Sequence, residues 1–105
     1  MADQRIYMFN ALWFKTDDGA KIYDEYLEAV VNLIKELDIG AELLHGYVPE
    51  EVILGDWDPD LFFVVEYPSQ AAFEKLVSSP QFQPIKALRE QAIDKSLLLR
   101  CSPMR

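Results

Sequence analysis

Glu66, His45 and Arg89 are the side chains of this sequence best suited to acid–base or anion chemistry, and each also has a purely structural use. Glu66 follows the apolar run Leu61–Val65, and a carboxylate among apolar walls has its pKa raised and can serve as a general base. Arg89 falls on a helical stretch whose inward stripe is Phe82, Ile85, Leu88 and Ala92, so it borders the core and needs an acidic partner. Glu66 and Asp56 are the candidates for that structural ion pair; otherwise Arg89 faces a pocket and holds an anionic group of a substrate. Pairing with Arg89 lowers the Glu66 pKa, so the base and the ion-pair partner exclude each other. His45, the one histidine, shares a strand face with Leu43 and Tyr47 and is either a hydrogen-bonded wall residue or an acid–base group. No second His or Cys stands at ligand spacing, so no metal site is expected. Asn10 interrupts an otherwise apolar run, where a buried amide is costly unless paired, and this makes it a pocket candidate. Trp57 sits among turn formers, where it plugs either the mouth of a pocket or a seam between subunits.

The elements that must position these groups are readable from periodicity. Ile6 to Phe14 is apolar on both alternating sets except at Asn10, which marks a strand covered on both faces. Thr16-Asp17-Asp18-Gly19 supplies capping side chains, and apolar residues from Ile22 to Leu37 then recur at helical spacing, predicting a helix over 18–37. Gly40 stands where a left-handed C-terminal cap is expected. Ala41 to Val48 reads as a second strand interrupted at Gly46, and Val52 to Leu54 as a short strand that resumes the pairing. Gly55 to Asp60 is dense in turn formers and leads to the central strand from Leu61. Pro68 ends that strand, Ser69 caps a helix, and Ser78-Ser79-Pro80 breaks the helical region into two segments. Ser96 to Cys101 is the last strand.

A chain of 105 residues, half of them hydrophobic, fits one compact domain, taken as residues 3–101 with 102–105 a loose tail. Eighteen acidic against ten basic residues leave a net charge of −8, with no basic cluster, so nucleic acid and anionic membrane surfaces are poor partners. The single cysteine, Cys101, permits no internal disulfide and suits a reducing, cytoplasmic setting, with the residue itself expected as a small buried strand side chain. No stretch approaches the ~18 apolar residues of a membrane span, and no export signal opens the chain.

Strand, helix, strand, strand, helix, strand is the split arrangement that folds as an α+β, ferredoxin-like, four-stranded antiparallel sheet with two helices on one face. Two helices cover one face only, yet the first and third strands carry apolar side chains on both. The uncovered face is then too aromatic for a lone subunit to expose, and a homodimer closing face to face would bury it. The enclosed space, lined by a few polar groups among apolar ones, is the natural place for a small-molecule ligand.

Gly55-Asp56-Trp57, Val64-Val65-Glu66-Tyr67-Pro68-Ser69, Ser79-Pro80-Gln81-Phe82-Gln83, Arg89 and Ser96-Leu97-Leu98-Leu99 together resemble the family catalogued as domain of unknown function 1330. In the N-terminal half only Glu25-Tyr26-Leu27 fits its pattern, and Leu54 stands where the family usually has Glu. The resemblance implies a dimeric α+β barrel, in a superfamily that also holds cofactor-free monooxygenases, haem-binding enzymes and plain ligand binders. Its oxygenases place an Asn and a Trp in the pocket, which the resemblance carries over to Asn10 and Trp57; haem ligation by His45 has no support beyond the superfamily, and no cofactor is assigned. Fold analogy of this breadth leaves three readings open. One is a homodimer binding a small aromatic or acyl metabolite. A second is a cofactor-independent oxygenase or isomerase-like enzyme with His45 or Glu66 as base and Asn10, Trp57 and Arg89 as stabilisers. The third is an interaction module that uses none of these in a cavity.

Overall fold

The structure, a computed structural model of the chain, describes residues 4–16 and 18–104. Residue 3, residue 105 and Asp17, one of the expected capping residues, lie outside them. Along the chain run β1 (Ile6–Phe14), α1 (Gly19–Glu36), β2 (Glu42–Tyr47), β3 (Leu61–Tyr67), α2 (Gln70–Ser78), α3 (Phe82–Ala92) and β4 (Ile93–Cys101). The strands form one antiparallel sheet in the order β2-β3-β1-β4, the ferredoxin-like arrangement. β1 and β3 are the inner strands, which is why their sequences are apolar on both alternating sets.

Register decides which side chains share a face. Met8 lies opposite Val65 on β3 and Arg100 on β4, and Asn10 opposite Phe63 and Leu98. Alternation puts Ile6, Met8, Asn10 and Leu12 on one side of β1, and Phe63, Val65 and Tyr67 follow on β3. This side meets the helices: Ile6 and Met8 are buried with Val30, Leu33 and Leu76, and Leu12 with Tyr23, Phe63 and Ala92. Tyr7, Phe9, Trp13, Phe62, Val64, Glu66, Leu97 and Leu99 occupy the opposite, helix-free side.

Local chemistry explains most boundaries. Ser69 caps α2, its Oγ accepting the Ala72 N–H at 3.1 Å. Ser79 precedes Pro80 and is therefore held extended (φ −62°, ψ 135°), which ends α2 at Ser78 and splits the expected second helix into α2 and α3. The Ser79 hydroxyl then accepts the Gln81 N–H at 3.1 Å and helps start α3. α1 begins with Gly19 because a Cβ there would stand 2.8 Å from the Ala92 carbonyl oxygen. Asp18 is its N-cap residue, but the Asp18 side chain makes no capping bond; its carbonyl accepts the Ile22 N–H at 2.9 Å.

Elsewhere the chain departs from the expectation. The left-handed residue that closes α1 is Asp38 (φ 54°), with Ile39 N–H bonded to Ile34 O and Asp38 N–H to Lys35 O; Gly40 (φ 79°) turns the chain two residues later, against Pro68. The irregularity in β2 falls at Leu44, between Leu43 and His45, while Gly46 stays paired with Phe63. Val52–Leu54 is not a strand. Pro49 and Pro59 lack the donors a ladder needs, and the segment instead bends over the helix-free side, tied down where Asp60 N–H reaches Leu12 O and Phe14 N–H reaches Asp60 Oδ2, both at 2.8 Å. β4 starts three residues before Ser96, straight out of α3. Cys101 lies on it but is exposed, because β4 is an edge strand paired with β1 alone. Among the described residues no helix is long and apolar enough to cross a membrane.

Candidate functional site

Between the sheet and the helices lies a cavity of about 960 Å³. β1 contributes Asn10, α1 contributes Tyr23 and Tyr26, β3 contributes Phe63 and Tyr67, and α3 contributes Arg89. Tyr23 and Tyr26 are three residues apart on the inward stripe of α1, so their rings meet, with centroids 5.1 Å apart; Tyr23 also packs on Phe63 at 6.5 Å. Tyr67 meets Phe73 of α2 edge to face at 5.1 Å. Asn10, in the middle of the sheet floor, donates its side-chain amide to the Met8 carbonyl at 3.2 Å.

Burial sets the protonation of these phenols. It pushes Tyr67 up to about 12, aided by neighbouring Tyr26, and raises Tyr23 further still, with Tyr26 adding to the rise and the Arg89 guanidinium partly opposing it. Tyr26 is raised by the same burial, again opposed by Arg89. All three are therefore neutral hydrogen-bond donors at physiological pH. The linkage has a definite sign: the folded chain keeps these protons to higher pH than the unfolded chain, whose phenols titrate at 10.0. The phenols' contribution to stability is complete below pH about 10 and is lost as pH rises through the folded values, Tyr67 alone costing about 2 kcal/mol by pH 12. Denaturant titrations at successive alkaline pH values check this, and a Tyr67→Phe chain losing as much stability as the parent over that range would refute it.

Of the side chains singled out from the sequence, the fold brings Asn10 and Arg89 to this cavity and takes the others elsewhere. Glu66 stands on the opposite side of the sheet, across from Tyr7 on β1. Its partner there is Arg5, Nη1 to Oε1 at 2.9 Å, so the anticipated Arg89–Glu66 ion pair does not form; the sheet separates the two. Asp56, the other expected partner of Arg89, is exposed in the β2–β3 connection and makes no ion pair among the described residues. His45 is exposed on the helix-free side, its ring parallel to Tyr47 with centroids 6.2 Å apart and Nδ1 3.4 Å from the Tyr47 hydroxyl. Trp57 lies over the same side, stacked on Phe9 at 6.1 Å and edge-on to Trp13 at 5.5 Å, while Trp13 Nε1 donates to Asp58 at 3.4 Å.

The three tyrosines of the cavity are what sequence reasoning passed over. Tyr23 and Tyr26 entered it as members of an apolar stripe. The available signal was the hydroxyl each carries, which a buried position must leave either paired or facing an internal space.

Solved structures that share the fold include the following three. A protein of unknown function from Rhodopseudomonas palustris is 26% identical, with a TM-score of 0.85 over 98% of this chain and 85% of its own. A dimeric ferredoxin-like protein of unknown function from Jannaschia sp. CCS1 is 13% identical, with a TM-score of 0.75 over 95% of this chain and 100% of its own. A proposed antibiotic biosynthesis monooxygenase from Bacteroides thetaiotaomicron is 16% identical, with a TM-score of 0.72 over 97% of this chain and 91% of its own. No curated protein matches the chain. The family model described as Domain of unknown function (DUF1330) matches residues 7–100, which spans every helix and every strand but the first residue of β1 and the last of β4, and the chain belongs to that family.

Proposed function

We propose that the protein is a homodimeric α+β-barrel protein that binds a small aromatic or acyl metabolite in the cavity between its sheet and its helices. The observation that carries this reading is the cavity itself, about 960 Å³ with Asn10 and Arg89 set among apolar and aromatic walls, the composition of a small-molecule site. Dimerisation is supported by the helix-free side, where Leu97, Leu99, Tyr47 and Trp57 stay exposed in the single chain, and by the Jannaschia protein, which is described as dimeric.

The enzyme reading draws less support. His45 and Glu66 stand across the sheet from Asn10 and Arg89, so a base and its stabilisers are not gathered in one cavity. The Bacteroides protein, itself only proposed to be a monooxygenase, shares the fold at too low an identity to bring that activity with it.

Titration with the neutral fluorophore N-phenyl-1-naphthylamine tests the binding reading. Saturable enhancement at one probe per chain is expected. Val65→Phe or Val77→Phe, each enlarging a cavity-wall residue, should weaken it at least about tenfold while the fold persists by circular dichroism. Probe binding that ignores both substitutions would defeat the proposal.

A further inference from the structure

We infer that the cavity's ligand is a monocarboxylate with an apolar body, its anionic head held by Arg89 beside the hydroxyls of Tyr23 and Tyr26. This rests on the cavity being a ligand site and adds the class of molecule it takes.

The charges on the cavity wall run against those of the whole chain. The sequence has eighteen acidic and ten basic residues, yet the charged residues lining the cavity are Lys35, Lys86 and Arg89 against Glu42 alone. Lys35, Lys86 and Glu42 are exposed and mark the mouth, whereas Arg89 is half-buried. Among the described residues the one ion pair is Arg5 with Glu66, so none of their carboxylates lies within 4 Å of Arg89. A guanidinium drawn partly out of water without a counter-charge is costly, and an anion arriving in the cavity would remove that cost.

The hydroxyls add a second, independent indication. Tyr23 is 1% exposed, and neither its hydroxyl nor that of Tyr26 or Tyr67 is hydrogen-bonded to another described residue. No side-chain polar atom that is both sealed from solvent and unpaired occurs among the described residues, so these hydroxyls open into the cavity space. Each retains a proton to donate. Arg89 presents donors only and each of the two phenols has a proton to donate, so an acceptor with several lone pairs and a negative charge suits all three at once. A planar carboxylate matches the guanidinium fork, and one half-buried cation calls for one anionic group. Beyond the head, Leu27, Val30, Ile34, Phe73 and Val77 offer only apolar contact, which fits an aliphatic or aromatic remainder.

Displacement of bound N-phenyl-1-naphthylamine by octanoate, 1-octanol and octylammonium at neutral pH, three probes with one chain length, tests the class. Octanoate should displace the fluorophore at least about tenfold more effectively than 1-octanol, with octylammonium weakest. Arg89→Gln should bring octanoate and 1-octanol to within about twofold without weakening 1-octanol, and Tyr23→Phe should cost octanoate a few-fold. Arg89→Lys, which keeps the charge and loses the fork, should fall between, and it serves where the Gln variant fails to fold. Equal displacement by octanoate and 1-octanol, or a preference for octylammonium, overturns the carboxylate while leaving the cavity reading intact. Absence of any fluorophore binding removes the cavity reading and this inference together.

Discussion

Leu99→Glu is expected to leave the fold intact and to turn the protein into a monomer at micromolar concentration. Leu99 lies on the helix-free side of β4, opposite Phe9, and is 45% exposed in the single chain, so a carboxylate there stays solvated and costs the subunit little. In the proposed dimer the same position is covered. Two-fold symmetry would bury the charge twice, unpaired each time, which is worth several kcal/mol and lowers the association constant by at least about a hundredfold. Leu98 is the control: it is the next residue on the same strand, faces the helices, and should accept Glu without change in association. Sedimentation equilibrium of the parent chain and both variants reads this directly. A monomeric parent chain, or a Leu99→Glu chain as dimeric as its parent, would remove the shared barrel from the proposal. The exposed apolar residues of the β2–β3 connection, Ile53 and Leu54, belong to the same surface, and nothing in the single chain accounts for them otherwise.

Leu12→Ala should have the largest effect on stability, a loss of about 3 kcal/mol in chemical denaturation at fixed protein concentration. Leu12 is fully buried, packed with Tyr23, Phe63 and Ala92 where β1, α1 and the α3–β4 junction meet. The site cannot close up readily, because Gly19 already brings α1 against the Ala92 carbonyl and Phe14 as near as a backbone allows. The hole left by Leu12 therefore persists, and the cavity term adds to the lost transfer energy. Since Tyr23 rests on this residue, ligand affinity should fall with stability. Leu54→Ala removes the same atoms from a side chain 94% exposed in the single chain, and in a Leu99→Glu background should change stability by less than about 0.5 kcal/mol. A Leu12→Ala loss below about 1 kcal/mol would show that the core at this corner is loosely packed.

The strands and the main helix were legible because burial leaves a period in the chain. β1 stands at Ile6–Phe14 as its doubly apolar run implies, and α1 falls within a residue of its apolar stripe. The two helix starts in the second half rest on Ser69 and on Ser79-Pro80, whose effects act within three residues. Val52–Leu54 misled because a strand needs a neighbouring edge as well as β-branched residues, and the one open edge near it is left unused. Gly40 misled because the α1 cap geometry could equally be met by Asp38, whose small side chain tolerates a positive φ.

For the site, residue type alone pointed to Asn10 and Arg89, since a lone amide in an apolar run and a cation bordering a core each demand a partner. Which acid would meet Arg89 was a question of faces. Glu66 alternates away from Tyr67, and only the packing of the helices on the Tyr67 side decides that Glu66 and Arg89 lie apart. The same choice makes three tyrosines into donors lining a space and sends His45 and Trp57 to the other surface. Period and local capping, which depend on near neighbours, were set by the amino-acid order; which of two alternating faces the helices cover depends on contacts across the whole chain, and only the folded structure decided it.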